Sequence, residues 1–126
     1  MKMIFAIAAG GAVGAVARHF AAHFVASLAG HGFPWGILAV NILGSLIMGI
    51  LVESLALMWS PSVELRAFMV VGILGSFTTF STFALDTVTL MSRGQTIIAA
   101  AYIGVSVVVA VMALMAGMAS VRFLVS

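Results

Sequence analysis

The chain has 126 residues, of which 64% are hydrophobic and 6% are charged, with five Lys and Arg against three Asp and Glu. A soluble domain of this size cannot bury so much apolar surface, and a basic surplus this small and scattered indicates no nucleic-acid partner. The absence of cysteine removes disulfides, thiol nucleophiles and thiolate metal sites from consideration.

Four apolar stretches have the length needed to cross a membrane, which is about 20 residues. They run from about residues 3 to 24, 35 to 58, 64 to 91 and 96 to 124. Short polar segments connect them, and Ser62 with Glu64 is typical of a helix start. The first stretch also resembles a secretory signal, but the three spans that follow favour an uncleaved helix. The sequence therefore predicts an all-α membrane protein with four transmembrane helices in a single domain, residues 1–126.

Small residues recur four apart in three of these spans, as Gly10 with Gly14, Ser45 with Gly49, and Ala113 with Gly117. Such pairs let helix backbones approach closely within lipid, and we interpret them as packing faces. Asn41 is different, because its amide lies inside the second span and must find partners or water. It either contacts a ligand or fastens two helices together.

The third span contains an unusual polar segment, residues 75–83, in which hydroxyl side chains follow a glycine. Glycine weakens a helix and Thr side chains compete for its backbone groups, so we expect a helix broken near its middle. Carbonyl oxygens between Gly75 and Thr78 would then be free to bind a hard cation such as sodium.

Beyond Gly75, one helix face combines hydroxyls and aromatic rings. Thr79, Thr82, Phe83 and Asp86 recur at three- and four-residue spacing, and Phe80 lies one turn from Phe83. Because an aromatic ring has a positive edge, such rings can contact a small anion without a formal charge. The alternative is that both Phe side chains simply pack or face lipid.

Basic residues are divided almost evenly between the two sides of the membrane. Lys2, Arg66 and Arg122 fall on one side, and Arg18 and Arg93 on the other, so the positive-inside rule selects no orientation. Insertion in both orientations would permit an antiparallel, dual-topology homodimer. Four helices are too few to enclose a polar path alone, which also favours a dimer.

Three motifs resemble the Fluc (CrcB) fluoride channel family, and the resemblance extends over all four spans. They are Gly10-Gly11-x-x-Gly14-Ala15-x-x-Arg18, Val40-Asn41-x-x-Gly44 and Thr78-Thr79-Phe80-Ser81-Thr82-Phe83. The resemblance implies an antiparallel homodimer in the bacterial inner membrane, with two fluoride pores and a central structural sodium ion. Its expected function is passive export of toxic fluoride from the cytoplasm.

The resemblance also implies residue roles. The fluoride pathway would comprise Asn41, Phe80, Ser81, Thr82, Phe83, Tyr102 and Ser106; the carbonyls of Gly75 and Thr78 would hold sodium, and Arg18 would attract anions in an aqueous vestibule. The chain departs from some family members at Ala110, where they carry a further hydroxyl.

Two other functions fit a short four-span chain. One is a proton-coupled exporter of the small multidrug resistance type, which needs an acid in the first span, whereas the first acid here is Glu53. The other is a non-transporting assembly subunit, which leaves the hydroxyls within the third span unexplained. An enzyme is not expected, because the sequence has no nucleophile with its base, no paired carboxylates and no phosphate loop.

Overall fold

The computed structural model describes residues Met1–Ser126, and its regular structure is entirely helical. In chain order the elements are α1 (Lys2–Ala29), α2 (Trp35–Leu57), α3 (Val63–Ala67), a π-helical segment (Phe68–Leu74), α4 (Gly75–Phe77), α5 (Phe80–Ser92) and α6 (Thr96–Val125). Four helical units are long and apolar enough to cross a membrane: α1, α2, α6 and the composite third span Val63–Ser92. The predicted all-helical chain with four such helices is confirmed, and α1 continues beyond the expected end near Phe24 to Ala29.

The third span starts at Val63, directly after the capping residue Ser62. The hydroxyl of Ser62 accepts a hydrogen bond from the Leu65 N–H at 3.2 Å, and Glu64 occupies the first turn. This satisfies one of the free amides of the helix start, and the acid suits the positive end of the helix dipole. The predicted helix start at this position is therefore confirmed.

The third helix is interrupted at Thr78 and Thr79, which are both extended (φ −89°, ψ 158° and φ −151°, ψ 124°). Gly75 is itself helical, with φ −62° and ψ −31°. The predicted interruption near the middle of the third helix is therefore confirmed, and it lies at the threonines and not at the glycine. The hydroxyl of Thr79 caps the new helix by accepting from the Thr82 N–H at 3.3 Å, so a hydroxyl cap rather than glycine flexibility defines where α5 begins.

Close backbone contacts join α1 to the π-helical segment. A Cβ at Gly14 would overlap the carbonyl group of Ile73, and a Cβ at Gly10 would overlap the Phe68 carbonyl oxygen. Only glycine permits this approach, and in lipid such close contact is the main source of helix association. The predicted packing face of Gly10 and Gly14 is confirmed.

Helices α2 and α6 form the other extensive contact. Gly49 packs on the Leu114 backbone and Gly117 on the Leu46 carbonyl, so each helix offers a glycine to its neighbour. Near the C-terminal ends of the same two helices, Arg122 Nε donates to Glu53 Oε2 at 2.7 Å. The α2–α6 pair is therefore fixed by backbone proximity at its centre and by an ion pair at one end.

The core lies between α2, α5 and α6, toward the end of the molecule that carries the α1–α2 loop. Its buried members are Leu38, Phe83, Leu90, Ala99 and Tyr102, and Phe33 of the loop packs against them. Most other large apolar side chains lie on the surface of the single chain. A surface this apolar matches helices that face lipid or another protein.

Candidate functional site

Asn41 connects α2 to the break in the third span. Its Oδ1 accepts from the Thr79 N–H at 2.8 Å, and its Nδ2 donates to the Thr79 carbonyl oxygen at 3.1 Å. The side-chain amide therefore pairs with both backbone groups of one extended residue, as a neighbouring strand would. Of the two functions that the sequence left open for Asn41, the structure shows the fastening of two helices. One Nδ2 hydrogen remains for a ligand.

The same contacts determine which carbonyl groups are released. In an unbroken helix the Gly75 carbonyl would accept from the Thr79 N–H, which instead donates to Asn41. The Thr78 carbonyl would accept from the Thr82 N–H, which instead donates to the Thr79 hydroxyl. The carbonyls of Gly75 and Thr78 therefore lose their helical donors, because those backbone N–H groups donate to side chains instead.

A pocket of about 320 Å³ lies beside the break, and we call it the central pocket. Its walls come from α2, the break, α5 and α6. The lining residues are Asn41, Ser45, Thr78, Thr79, Phe80, Phe83, Ser106, Val107, Ala110 and Val111. Four of the expected pathway residues meet here, namely Asn41, Phe80, Phe83 and Ser106.

Phe80 and Phe83 lie side by side at this pocket, with ring centroids 5.4 Å apart and planes inclined by 47°. Their environments differ: Phe83 is 8% exposed and belongs to the core, whereas Phe80 is 77% exposed. Ring edges beside a pocket can contact an anion. Phe80 lies at the outer surface of the single chain, so only a second molecule or lipid can cover it.

Ser106 is a polar residue of the central pocket whose hydroxyl makes no hydrogen bond. It is 7% exposed, and its Oγ has no hydrogen-bond partner. Ser45, in contrast, donates its hydroxyl hydrogen to the Asn41 carbonyl at 2.7 Å, as Thr78 does to the Leu74 carbonyl at 3.2 Å. A buried hydroxyl without a partner costs free energy, and a ligand in the pocket would satisfy it.

Ser81 and Thr82, also expected in the pathway, place their hydroxyls around Thr79 instead of lining the pocket. The Oγ1 of Thr79 lies 3.2 Å from that of Thr82 and 3.4 Å from the Ser81 Oγ. Ser81 is exposed and Thr82 is half-buried. Together they form a polar patch on the α5 side of the break.

Tyr102 lies deeper in the core, away from the central pocket. Its ring is fully buried and contacts that of Phe83 at a centroid distance of 5.2 Å. Its hydroxyl donates to Asp86 Oδ2 at 3.2 Å. Tyr102 therefore links the ring of Phe83 to an acidic side chain near the end of the span.

A second pocket, which we call the outer pocket, lies at the α1–α2 loop. Its polar and charged lining includes His23, His31, Asp86 and Arg93. Arg18, expected in a vestibule, is half-buried on α1, lines neither pocket and makes no ion pair. It lies one turn before Ala22, which does line the outer pocket.

The sequence missed Ser45 and two valines of the central pocket, Val107 and Val111. Ser45 was interpreted only as a packing residue, yet it follows Asn41 by one helical turn and therefore shares its face. That spacing was a usable signal. The sequence gives no such signal for the two valines, because their position at the pocket depends on how α6 packs against α2.

Comparison with known proteins identifies the family of this chain. Residues 5–118 match the family described as "CrcB-like protein, Camphor Resistance (CrcB)". A protein of Rhodospirillum centenum named "Fluoride-specific ion channel FluC" is 48% identical over 122 residues, which cover 97% of each chain.

Two further relatives have the same name. The Agrobacterium fabrum protein is 49% identical over 119 residues, covering 94% of this chain and 95% of its own. The Nitrobacter winogradskyi protein is 50% identical over 119 residues, covering 94% of both chains. These relatives are named as ion channels and not as enzymes. With its four apolar helices, the chain is a multi-pass membrane protein and belongs to the CrcB family.

Proposed function

We propose that this protein is a fluoride-selective passive channel of the bacterial inner membrane that lets fluoride leave the cytoplasm. The relatives' name supports fluoride as the ion. The single observation that carries the proposal is the central pocket, where an amide, an unpartnered buried hydroxyl and two aromatic rings meet without a charged side chain. Neutral donors suit conduction, because they bind an anion weakly enough to release it.

The residues would act in sequence along the path. Asn41 would offer its remaining Nδ2 hydrogen and Ser106 its free hydroxyl to the ion, while the edges of Phe80 and Phe83 contact it between these donors. Ser81, Thr82 and Tyr102 would extend the polar path on either side. Arg18 would raise the local anion concentration at the outer pocket.

The position of the break supports an antiparallel homodimer. Gly75, whose carbonyl has lost its helical donor beside the irregular residues Thr78 and Thr79, is exposed on the single chain near the middle of an apolar span. Irregular backbone at this depth is tolerated only when protein or a water-filled cavity covers it. A second copy in the opposite orientation would bring the two breaks together, and the balanced basic residues permit that orientation. Two copies would provide two pathways.

A structural sodium ion fits this arrangement. Main-chain oxygens are suitable ligands for a hard cation, and the carbonyls of Gly75 and Thr78 have lost their helical donors. Each copy would contribute the same two oxygens. Bound there, the cation would neutralise carbonyl dipoles that otherwise repel each other and would offset part of the cost of bringing anions nearby.

Fluoride efflux from proteoliposomes tests the proposed activity. Vesicles loaded with potassium fluoride and treated with valinomycin should release fluoride when they contain the purified protein, as measured with a fluoride electrode. Vesicles loaded with potassium chloride are the control and should retain their anion. Retention of both anions would contradict the channel proposal, and equal release would contradict its selectivity.

Two measurements test the assembly. Because the chain has no cysteine, Ser60→Cys places a single thiol in the loop after α2, and an impermeant maleimide should label about half of it in intact cells if both orientations occur. Complete or absent labelling would exclude dual topology.

Replacing sodium by N-methyl-D-glucamine should lower the melting temperature of the protein in detergent, and sodium should restore it. Identical melting temperatures in sodium and in N-methyl-D-glucamine would contradict a bound structural sodium ion.

A further inference from the structure

Four aromatic rings form a continuous series between the two pockets. Phe33, in the loop between α1 and α2, packs against Tyr102 with centroids 5.3 Å apart and planes at 88°. Tyr102 contacts Phe83 at 5.2 Å, and Phe83 contacts Phe80 at 5.4 Å. Each distance lies in the range of direct ring contact. The series starts with a ring from a loop, which the helical motifs of the sequence do not include.

Phe33 occupies a particular place in this series. It lines the outer pocket together with Asp86, the residue that accepts the Tyr102 hydroxyl. At the other end of the series, Phe80 and Phe83 line the central pocket. Phe33, Tyr102 and Phe83 therefore connect the outer pocket to the central pocket through successive ring contacts.

The loop that carries Phe33 is held in a defined shape. Gly30 has a left-handed φ of 96°, which turns the chain out of α1, and the Trp35 N–H donates to the Phe33 carbonyl at 2.8 Å. Phe33 is half-buried and packs against the core around Tyr102. Its ring is thus positioned by the fold and is not a mobile loop side chain.

We propose that Phe33 is the outermost ring of the anion path, which an ion contacts between the outer pocket and Tyr102. The inference rests on the proposed fluoride function and extends the path into the α1–α2 loop. Between the outer pocket and the Tyr102 ring, an anion would have to pass the Asp86 carboxylate, which lines that pocket and accepts the Tyr102 hydroxyl. The positive edge of the Phe33 ring would lower the cost of that step, as the rings of Phe80 and Phe83 do further along.

A packing role for Phe33 makes a different prediction from a role in conduction. Replacing Phe33 by pentafluorophenylalanine keeps the shape of the ring closely but reverses its charge distribution, so that the edge becomes negative. If Phe33 only packs, the change can weaken its T-shaped contact with Tyr102 but should leave conduction normal, whereas a ring that contacts the anion should lose conduction. Phe24 is a matched control, because it is exposed on α1 and lines neither pocket.

The experiment measures fluoride efflux from proteoliposomes and the melting temperature in detergent for each variant. We expect pentafluorophenylalanine at position 33 to reduce the efflux rate about ten-fold or more without lowering the melting temperature, and the same replacement at position 24 to leave efflux unchanged. Phe33→Leu should reduce efflux similarly, whereas Phe33→Tyr, which retains the ring, should conduct.

Efflux within about two-fold of the unmodified protein for the pentafluorophenylalanine variant would overturn the inference. If that variant does not fold, Phe33→Leu and Phe33→Tyr decide: equal efflux from these two would overturn it, and loss in Phe33→Leu alone would support it. Failure of the proposed function is distinguishable, because the unmodified protein would then release no fluoride.

Discussion

The side-chain amide of Asn41 supplies both hydrogen-bond partners that the backbone of Thr79 lacks at the break in the third span. This single contact connects local structure to the site. It holds the break open, since the Thr79 N–H is no longer available to the Gly75 carbonyl. It also places the remaining Nδ2 hydrogen of Asn41 at the wall of the central pocket.

Asn41→Ala should therefore impair both stability and conduction. The variant leaves the N–H and carbonyl of Thr79 without partners, which should cost about 2 kcal/mol of stability, and it removes a donor to the ion. We expect a lower melting temperature in detergent and fluoride efflux reduced by about ten-fold or more. Ser45→Ala is the matched control, because Ser45 lines the same pocket but bonds only the Asn41 carbonyl. Equal effects of the two variants would contradict the special role of Asn41.

Ser106→Ala should separate conduction from stability. The hydroxyl is buried without a partner, so its removal should leave the free energy of unfolding unchanged or raise it by up to about 1 kcal/mol. The melting temperature should accordingly stay the same or rise. Fluoride efflux should nevertheless fall about five-fold, since the ion loses one donor. Ala110→Ser adds a hydroxyl at the same pocket, one turn further along α6, and should conduct at least as well as the unmodified protein. Undiminished efflux in Ser106→Ala would remove Ser106 from the path.

Gly14→Ala should destabilise the fold strongly, because the added Cβ would overlap the Ile73 carbonyl. Separating α1 from the π-helical segment should cost about 2 kcal/mol, in line with overpacked cores. Gly104→Ala is a suitable control: this glycine is also inside a helix, but a Cβ there meets nothing within 4 Å. It should be neutral or slightly stabilising, by up to about 1 kcal/mol. Thermal unfolding in detergent compares the two, and equal melting temperatures would contradict the packing argument.

The ion pair between Glu53 and Arg122 should respond asymmetrically to mutation. The Glu53 side chain is 9% exposed, whereas that of Arg122 is 61% exposed. Arg122→Gln leaves a buried carboxylate without its partner and should cost about 3 kcal/mol. Glu53→Gln leaves an exposed guanidinium that water can solvate and should cost about 1 kcal/mol or less. Melting temperatures check the order, and a larger effect of Glu53→Gln would contradict it.

The sequence predicted the four helices because the thickness of the membrane fixes the length of an apolar span. It also predicted that the third helix breaks, since hydroxyls and a glycine at this depth compete with helical hydrogen bonds. The expected position near the middle of the span was also right, but the sequence did not reveal the contact that holds the break. The Thr79 hydroxyl caps α5 locally, but Asn41, which binds the Thr79 backbone, lies on another helix, and no local pattern reveals such a partner.

Other parts of the structure depend equally on packing. The π-helical segment Phe68–Leu74 is as apolar as an ordinary helix, so composition gave no sign of it. The pairing of Glu53 with Arg122 requires the C-terminal ends of α2 and α6 to meet, which follows from the glycine contacts between those helices. Residue types thus indicated candidate pathway residues, whereas contacts between helices determined that four of them, Asn41, Phe80, Phe83 and Ser106, meet at the central pocket.

The central claim is that fluoride passes along uncharged aromatic edges and hydroxyls beside the break. The most direct test is the initial fluoride efflux rate from proteoliposomes containing Phe80→Ile or Phe83→Ile, compared with the unmodified protein and with Phe24→Ile, whose ring lies outside both pockets. The account predicts a loss of about ten-fold or more in the first two variants and normal efflux in the third. Unchanged efflux in both Phe80→Ile and Phe83→Ile would contradict it.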